Sequence, residues 1–140
     1  MVLVFVVGFF LLVVLVMGFV SWLQWKNRAK LSNSDQKYIS KHWAKVSEML
    51  NTNQSIAIIN ADKLLHHTLG KRAGKKFDGL SFGEMLKRSD AYFSDINAVW
   101  RAHKLRNRIA HQVDVRLSNA EVKSAISSFK RALNDLGANV

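Results

Sequence analysis

The first 25 residues carry no charged side chain, and this stretch constrains the chain more than any other feature. Its core, "VLVFVVGFFLLVVLVMGFV", is apolar throughout and about as long as a helix that crosses the hydrocarbon layer of a membrane. A cleaved signal peptide has a basic start, a shorter apolar core and a cleavage site of small residues, and none of these is evident here. The sequence therefore predicts an uncleaved transmembrane anchor over residues 1–25.

The residues after this stretch predict how it would lie in a membrane. No Lys or Arg precedes it, whereas three basic residues follow within a linker at 26–34. The positive-inside rule then predicts a single-pass protein of the cytoplasmic membrane, with its N-terminus outside and its C-terminal domain in the cytoplasm. Five residues are expected at the membrane interface: Trp22, Trp25, Lys26, Arg28 and Lys30.

All of the formal net charge of +11 lies after residue 25. Without the three basic linker residues, 18 Lys and Arg face 10 Asp and Glu, a surplus of eight. Such a basic domain is suited to polyanions, either nucleic acid or an anionic membrane surface, and charge alone does not separate the two. The chain has no cysteine, which excludes disulfides, a thiolate nucleophile and Cys-ligated zinc.

Residues 35–140 have the apolar periodicity of helices, with residues three and four apart sharing one face. We expect helices over about 35–51, 55–70, 92–112 and 118–137, and a short one through Met85 and Leu86. Two capping boxes, Ser81 with Glu84 and Ser118 with Glu121, mark helix starts. The fold class predicted is all-α, an up-and-down bundle of four main helices and a short one behind the transmembrane helix. No phosphate-binding glycine loop, zinc spacing or other cofactor motif is present.

Arg106 interrupts the apolar face of the fourth main segment. On a regular helix the apolar arc consists of Ile96, Val99, Ala102, Ile109 and Val113, and Arg106 projects between Val99 and Val113. A charged side chain in such a position is unusual unless a partner satisfies it; the ordinary alternatives are that it snorkels to solvent or pairs with an internal carboxylate such as Asp62. Its neighbours Asn107 and His111 are four residues apart and share a face, which His103 continues.

Arg106, Asn107 and His111 together form a compact cationic site with one group that titrates near neutral pH. This set of side chains suits cleavage of a phosphodiester without a metal ion. Arg106 would neutralise the phosphate, His111 would act as general base or acid, and Asn107 would bind the phosphate or orient the histidine. The alternative is that Arg106 has a purely structural ion pair and that His111 only stabilises a helix C-terminus.

The segment Arg106-Asn107-Arg-Ile-Ala-His111 resembles the signature of HEPN domains, in which an Arg and a polar residue precede a His late in a helix. The order of helices is also similar, with the motif helix next to last. The segment "IINADKLLHHTLG" resembles an early helix of small bacterial HEPN-like proteins, so that the resemblance covers about residues 35–137.

This resemblance implies a function as well as a fold. Many HEPN proteins are metal-independent ribonucleases that dimerise, bring two Arg/His pairs into one cleft and leave 2′,3′-cyclic phosphates. Carried over, Arg106 and His111 would be catalytic and Asn107 supporting, with a homodimer and RNA as the expected partners. A restraining antitoxin or another protein partner is unknown. Other HEPN members are inactive as nucleases and serve as interaction or nucleotide-sensing modules.

Three hypotheses thus remain open from the sequence. The first is a membrane-anchored, dimeric endoribonuclease that needs no cofactor. The second is a non-catalytic module that binds a protein or a nucleotide, in which His111 can be lost without effect. The third is a structural protein whose bundle only oligomerises, with Arg106 neutralised internally by a residue such as Asp62 and no pocket beside it.

A glycine-rich basic loop, "GKRAGKKFDG", supplies a further candidate surface. Four of its side chains could guide RNA toward the cleft: Lys71, Arg72, Lys75 and Lys76. A solvated loop is the ordinary alternative, because runs of like charge are usually exposed to water.

Overall fold

The computed structural model describes residues 2–26, 30–112 and 114–140, and within its first helix it describes the side chains of residues 7–20. The described residues are all-helical and include no strand. Two 3₁₀ turns, Gly74–Phe77 and Asp90–Tyr92, flank the shortest helix. The six α-helices are α1 (Val2–Lys26), α2 (Asn33–Met49), α3 (Gln54–Ala73), α4 (Phe82–Lys87), α5 (Ile96–His111) and α6 (Asn119–Asp135).

The structure corrects the predicted transmembrane anchor. Among the described residues, no helix combines the length and the apolar character that crossing a membrane requires. The transmembrane part of the predicted fold class is therefore wrong, as is the single-pass localisation inferred from it.

The five residues predicted at a membrane interface are only partly described. Arg28 lies outside the described residues, and so do the side chains of Trp22, Trp25 and Lys26. Lys30 is described and exposed. The side chains of α1 that are described are also exposed, with Phe10 and Leu15 each 70% accessible.

The predicted helical bundle is confirmed for the rest of the chain, and α3 lies at its centre. This helix packs against α2, α5 and α6. It has buried side chains on two faces, one with Ile58, Leu65 and Leu69 and the other with Leu64 and Thr68. Substituting Ala for one of the fully buried leucines, such as Leu65, would cost about 2–5 kcal/mol of folding stability. The burial of α3 is what places its one buried acid, Asp62, inside the bundle.

Both predicted capping boxes are present. Ser81 N–H donates to Glu84 Oε2 at 2.8 Å and Glu84 N–H donates back to Ser81 Oγ, which starts α4. Ser118 and Glu121 make the same pair of hydrogen bonds at the start of α6. Each box satisfies backbone N–H groups that a helix start would otherwise leave unpaired.

Two helix boundaries differ from the sequence-based prediction by more than two residues. Helix α3 continues past Gly70 to Ala73, because Gly74, with φ of +60°, is the glycine that leaves the helical conformation. The residues Lys71 and Arg72 therefore lie on α3 rather than in a loop. Helix α5 begins only at Ile96, because the Asp95 side chain accepts a hydrogen bond from Ala98 N–H and caps the helix there.

Candidate functional site

The candidate site is built where the second half of α5 faces the middle of α3. One side of α5 is exposed to solvent, at Asn97, Arg101, Lys104 and Arg108. The opposite side turns His103 and Arg106 toward the Asp62 carboxylate of α3. Val113, predicted to continue the apolar arc, lies outside the described residues.

Four side chains form a closed circuit across this interface. Arg106 Nη1 donates to Asn107 Oδ1 at 2.9 Å, and Asn107 Nδ2 donates to His103 Nε2 at 3.2 Å. His103 Nδ1 donates to Asp62 Oδ1 at 2.8 Å. The circuit closes where Asp62 Oδ2 lies 3.4 Å from Arg106 Nε. Each member therefore restricts the orientation of the next.

The donors and acceptors of these hydrogen bonds indicate which ring nitrogen of His103 carries the proton. Because a guanidinium only donates, it must face the oxygen of the Asn107 amide, which turns the amide nitrogen toward His103. His103 Nε2 then accepts while Nδ1 donates to the carboxylate, which is the pattern of a neutral imidazole protonated on Nδ1. The two partners leave the buried Asp62 and His103 satisfied.

Arg106 is held by the circuit without being fully enclosed. Its side chain is 26% accessible, whereas that of Asp62 is 4% accessible. The 3.4 Å approach of Nε to Asp62 is an ion pair without hydrogen-bond alignment, and Nε is buried with no hydrogen-bond partner among the described residues. Within that same part of the chain, no hydrogen bond engages Nη2. This nitrogen can therefore still donate to an anion.

The ion pair between Arg106 and Asp62 is the neutralisation that the third hypothesis expected. It explains without any ligand why an arginine can lie on an apolar arc, because the buried carboxylate balances its charge. Sequence reasoning named Asp62 only as one alternative and gave His103 no role beyond its helical face. A signal was present, because Asp62 lies four residues after Ile58 and three before Leu65, on an apolar helix face.

His111 lies apart from the circuit, at the last residue of α5. It is exposed, and no described residue forms a hydrogen bond or an ion pair with it. His111 is five positions after Arg106, so the two side chains leave the helix about 140° apart. Asn107, one turn before His111, lies within about 40° of it. One helix alone thus does not bring Arg106 and His111 face to face.

Aromatic rings enclose the His103 end of the circuit. Phe82 of α4 and Trp100 of α5 contact the His103 ring edge-on, with centroids 5.0 and 6.0 Å away. His66 of α3 stacks on Phe82 at 5.0 Å. Partial burial lowers the pKa of His66, and the nearby charge of Asp62 opposes this shift. The His66 side chain is still exposed to solvent, at the edge of the site.

The four basic residues predicted to guide RNA are dispersed rather than gathered in one loop. Lys71 is 51% accessible and lies 3.7 Å from Asp35 Oδ1 of α2, while Arg72 is half-buried. Lys75 and Lys76 are exposed in the 3₁₀ turn, where Lys76 Nζ is 5.6 Å from the centre of the Phe77 ring. Their predicted contact with RNA stays a prediction.

In the part of the chain that the structure describes, no three His, Asp or Glu side chains are grouped so that they could hold a metal ion. Comparisons with models of protein families, with curated proteins and with solved structures gave no match. The resemblance to HEPN domains therefore stays a prediction that rests on the motif and the order of helices.

Proposed function

We propose that this chain is a metal-independent endoribonuclease of HEPN-like type that acts as a homodimer. The observation that carries the proposal is the state of Arg106, which Asp62 and Asn107 fix in place while Nη2 stays available to an anion. A guanidinium oriented before the substrate arrives loses little conformational freedom on binding, which favours charge stabilisation in a transition state. His111 lies on the same helix and is exposed, with no hydrogen bond or ion pair to any residue that the structure describes.

In the proposed reaction, Arg106 Nη2 donates to a non-bridging oxygen of the scissile phosphate. A neutral His111 accepts the proton of the ribose 2′-hydroxyl while the 2′-oxygen forms a bond to phosphorus. The bond from phosphorus to the 5′-oxygen breaks, and that oxygen takes a proton from a second His111 or from water. The products are a 2′,3′-cyclic phosphate and a free 5′-hydroxyl.

The geometry of α5 is the reason for requiring a dimer. Because Arg106 and His111 leave one helix about 140° apart, a single phosphate is reached by both side chains most directly when two copies of α5 face each other. In that arrangement Arg106 of one subunit acts with the partner subunit's His111. Asn107 keeps Arg106 in position through its 2.9 Å hydrogen bond.

A second candidate function is supported by the same ion pair. Because Asp62 balances the charge of Arg106 and His111 takes no part in this ion pair, Arg106 can hold a ligand through Nη2 without any catalytic step. On this reading the chain is a non-catalytic binding module and His111 is dispensable. Calorimetric titration with ATP and AMP as probes tests it: binding that Arg106→Ala abolishes and His111→Ala preserves would favour the module.

The nuclease proposal is tested by blocking the ribose 2′-hydroxyl, which is the nucleophile in the proposed reaction. The full-length chain is incubated with a single-stranded RNA and with a copy that carries 2′-O-methyl groups throughout. We expect cleavage of the RNA alone, with cyclic phosphate ends, because only the free 2′-hydroxyl can attack. Equal cleavage of both substrates would contradict the proposed mechanism.

A further inference from the structure

A groove on the other side of α3, between α2 and α3, has the features of a nucleic-acid contact. Its volume is about 260 Å³. We call it the Tyr38 groove and define it by six of its lining residues: Tyr38, His42, Lys45, Asn60, Lys63 and His67. None of the described residues that line it is acidic.

The aromatic ring of Tyr38 is held in place in this groove by neighbouring rings. Tyr38 stacks on His42 with ring centres 3.9 Å apart and is tilted against His67 at 4.9 Å. His42 is itself fixed, because its Nδ1 donates to the Tyr38 carbonyl oxygen at 2.8 Å. Tyr38 nevertheless remains 46% accessible. A supported, exposed ring of this kind suits stacking by an unpaired base.

Lysines supply the positive charge of the groove from both helices. Lys45 of α2 and Lys63 of α3 are exposed, and Lys71 extends the line of charge one turn beyond His67. Partial burial, with the nearby charge of Lys71, lowers the pKa of His67, so the lysines rather than this imidazole carry the charge. Asp35 pairs with Lys71 at 3.7 Å and reduces the charge at that end.

The Tyr38 groove continues toward Arg106. A second, shallower groove of about 480 Å³ shares Lys63 and His67 with it and also includes His66. His66 stacks on Phe82, which contacts His103 of the circuit. Phe82 and His103 are buried, so the surface that a strand can follow ends at His66, one helical turn after Asp62. Asp78, which also lines the second groove, is an acidic residue on this path.

We infer that the Tyr38 groove binds single-stranded RNA, with a base stacked on Tyr38 and phosphates at Lys45 and Lys63, and directs the strand across α3 toward Arg106. A single strand is favoured over a duplex because only an unstacked base presents its face to a ring. The inference rests on the proposed function only in naming RNA as the polymer.

The test measures binding without cleavage. The full-length chain is titrated into a fluorescent 2′-O-methyl oligouridine, and binding is followed by fluorescence anisotropy. A mild non-ionic detergent is added because exposed apolar side chains of the protein favour self-association. Lys45→Gln with Lys63→Gln is expected to weaken binding about tenfold and to reduce the salt dependence by roughly 1.4 in log–log slope. The matched control is Lys123→Gln with Lys130→Gln, two exposed lysines of α6, which should change the affinity less than about threefold.

A second pair of variants tests the ring. Tyr38→Ala should weaken binding roughly tenfold while Tyr38→Phe retains it, because stacking needs the ring and not the hydroxyl. Equal losses in both lysine pairs, an unaffected Tyr38→Ala, or equally tight binding of a duplex of the same length would overturn the inference. If the chain binds RNA through the groove but cleaves none, the proposed nuclease function is refuted and the inference about the groove stands. If the chain cleaves RNA but the groove variants bind it normally, the inference about the groove is refuted and the nuclease function stands.

Discussion

His103 Nδ1 donates a 2.8 Å hydrogen bond to the Asp62 carboxylate and so joins α5 to α3 inside the bundle. The same carboxylate balances Arg106, and Asn107 links Arg106 back to His103. The motif residues Arg106 and Asn107 are thus part of the interhelical contact as well as candidates for chemistry. Stability and activity of this site must therefore be measured together.

Asp62→Asn is expected to destabilise the fold by about 2–3 kcal/mol, because it removes the buried charge that pairs with Arg106 and weakens the bond to His103. The partial exposure of Arg106 keeps the loss below that of a fully buried pair. Urea unfolding of the full-length chain measures it. Asp78→Asn, at an exposed turn residue, is the control and should stay within about 0.5 kcal/mol of the parent. A loss for Asp62→Asn as small as that of the control would contradict a stabilising circuit.

Substituting alanine for each of two glycines should change the free energy of unfolding in opposite directions. Gly137 has φ of +90° and lies where Ala138 N–H donates to the Leu133 carbonyl, so Gly137→Ala should cost about 1–2 kcal/mol. Gly70 is helical, and an added Cβ would meet only Met85 Cε at 3.8 Å, so Gly70→Ala should gain about 0.5–1 kcal/mol. Thermal unfolding of both variants checks the pair, and a loss at Gly70 would show that the helix is strained there.

The stability that Glu121 contributes at the start of α6 should depend on pH below neutrality. Hydrogen bonds from Arg108 and from Ser118 lower the pKa of Glu121 from its ordinary 4.5 to about 2. A carboxyl whose pKa is lower in the folded state stabilises the fold above its unfolded pKa and loses that contribution as pH falls through the folded pKa. The advantage of the parent over Glu121→Gln in urea unfolding should therefore be full above about pH 4.5 and vanish toward pH 2. An advantage that stays constant from pH 7 to pH 2 would contradict this assignment.

Local rules predicted much of the bundle. The capping boxes at Ser81 and Ser118 follow from residue types at a fixed spacing, and both are present. The prediction of a helix end at Gly70 is wrong because glycine permits a positive φ without requiring it, and Gly74, with φ of +60°, ends the helix instead.

The circuit could be predicted only in part. Periodicity placed Arg106 on an apolar arc, and Asp62 also lies on one. Which side chains meet depends on the rotation and the offset of α3 against α5, and these are set by packing across the whole core. The role of His103 therefore became visible only with the tertiary structure.

RNA cleavage in EDTA by the full-length chain, beside Arg106→Ala and His111→Ala, tests the central claim most directly. His111 is exposed, so its variant should keep its stability within about 1 kcal/mol, and circular dichroism and urea unfolding establish folding for both variants. We predict cleavage by the parent with cyclic phosphate ends, and a loss of about 100-fold or more in each variant. No cleavage by the folded parent, or equal cleavage by all three proteins, would contradict the account.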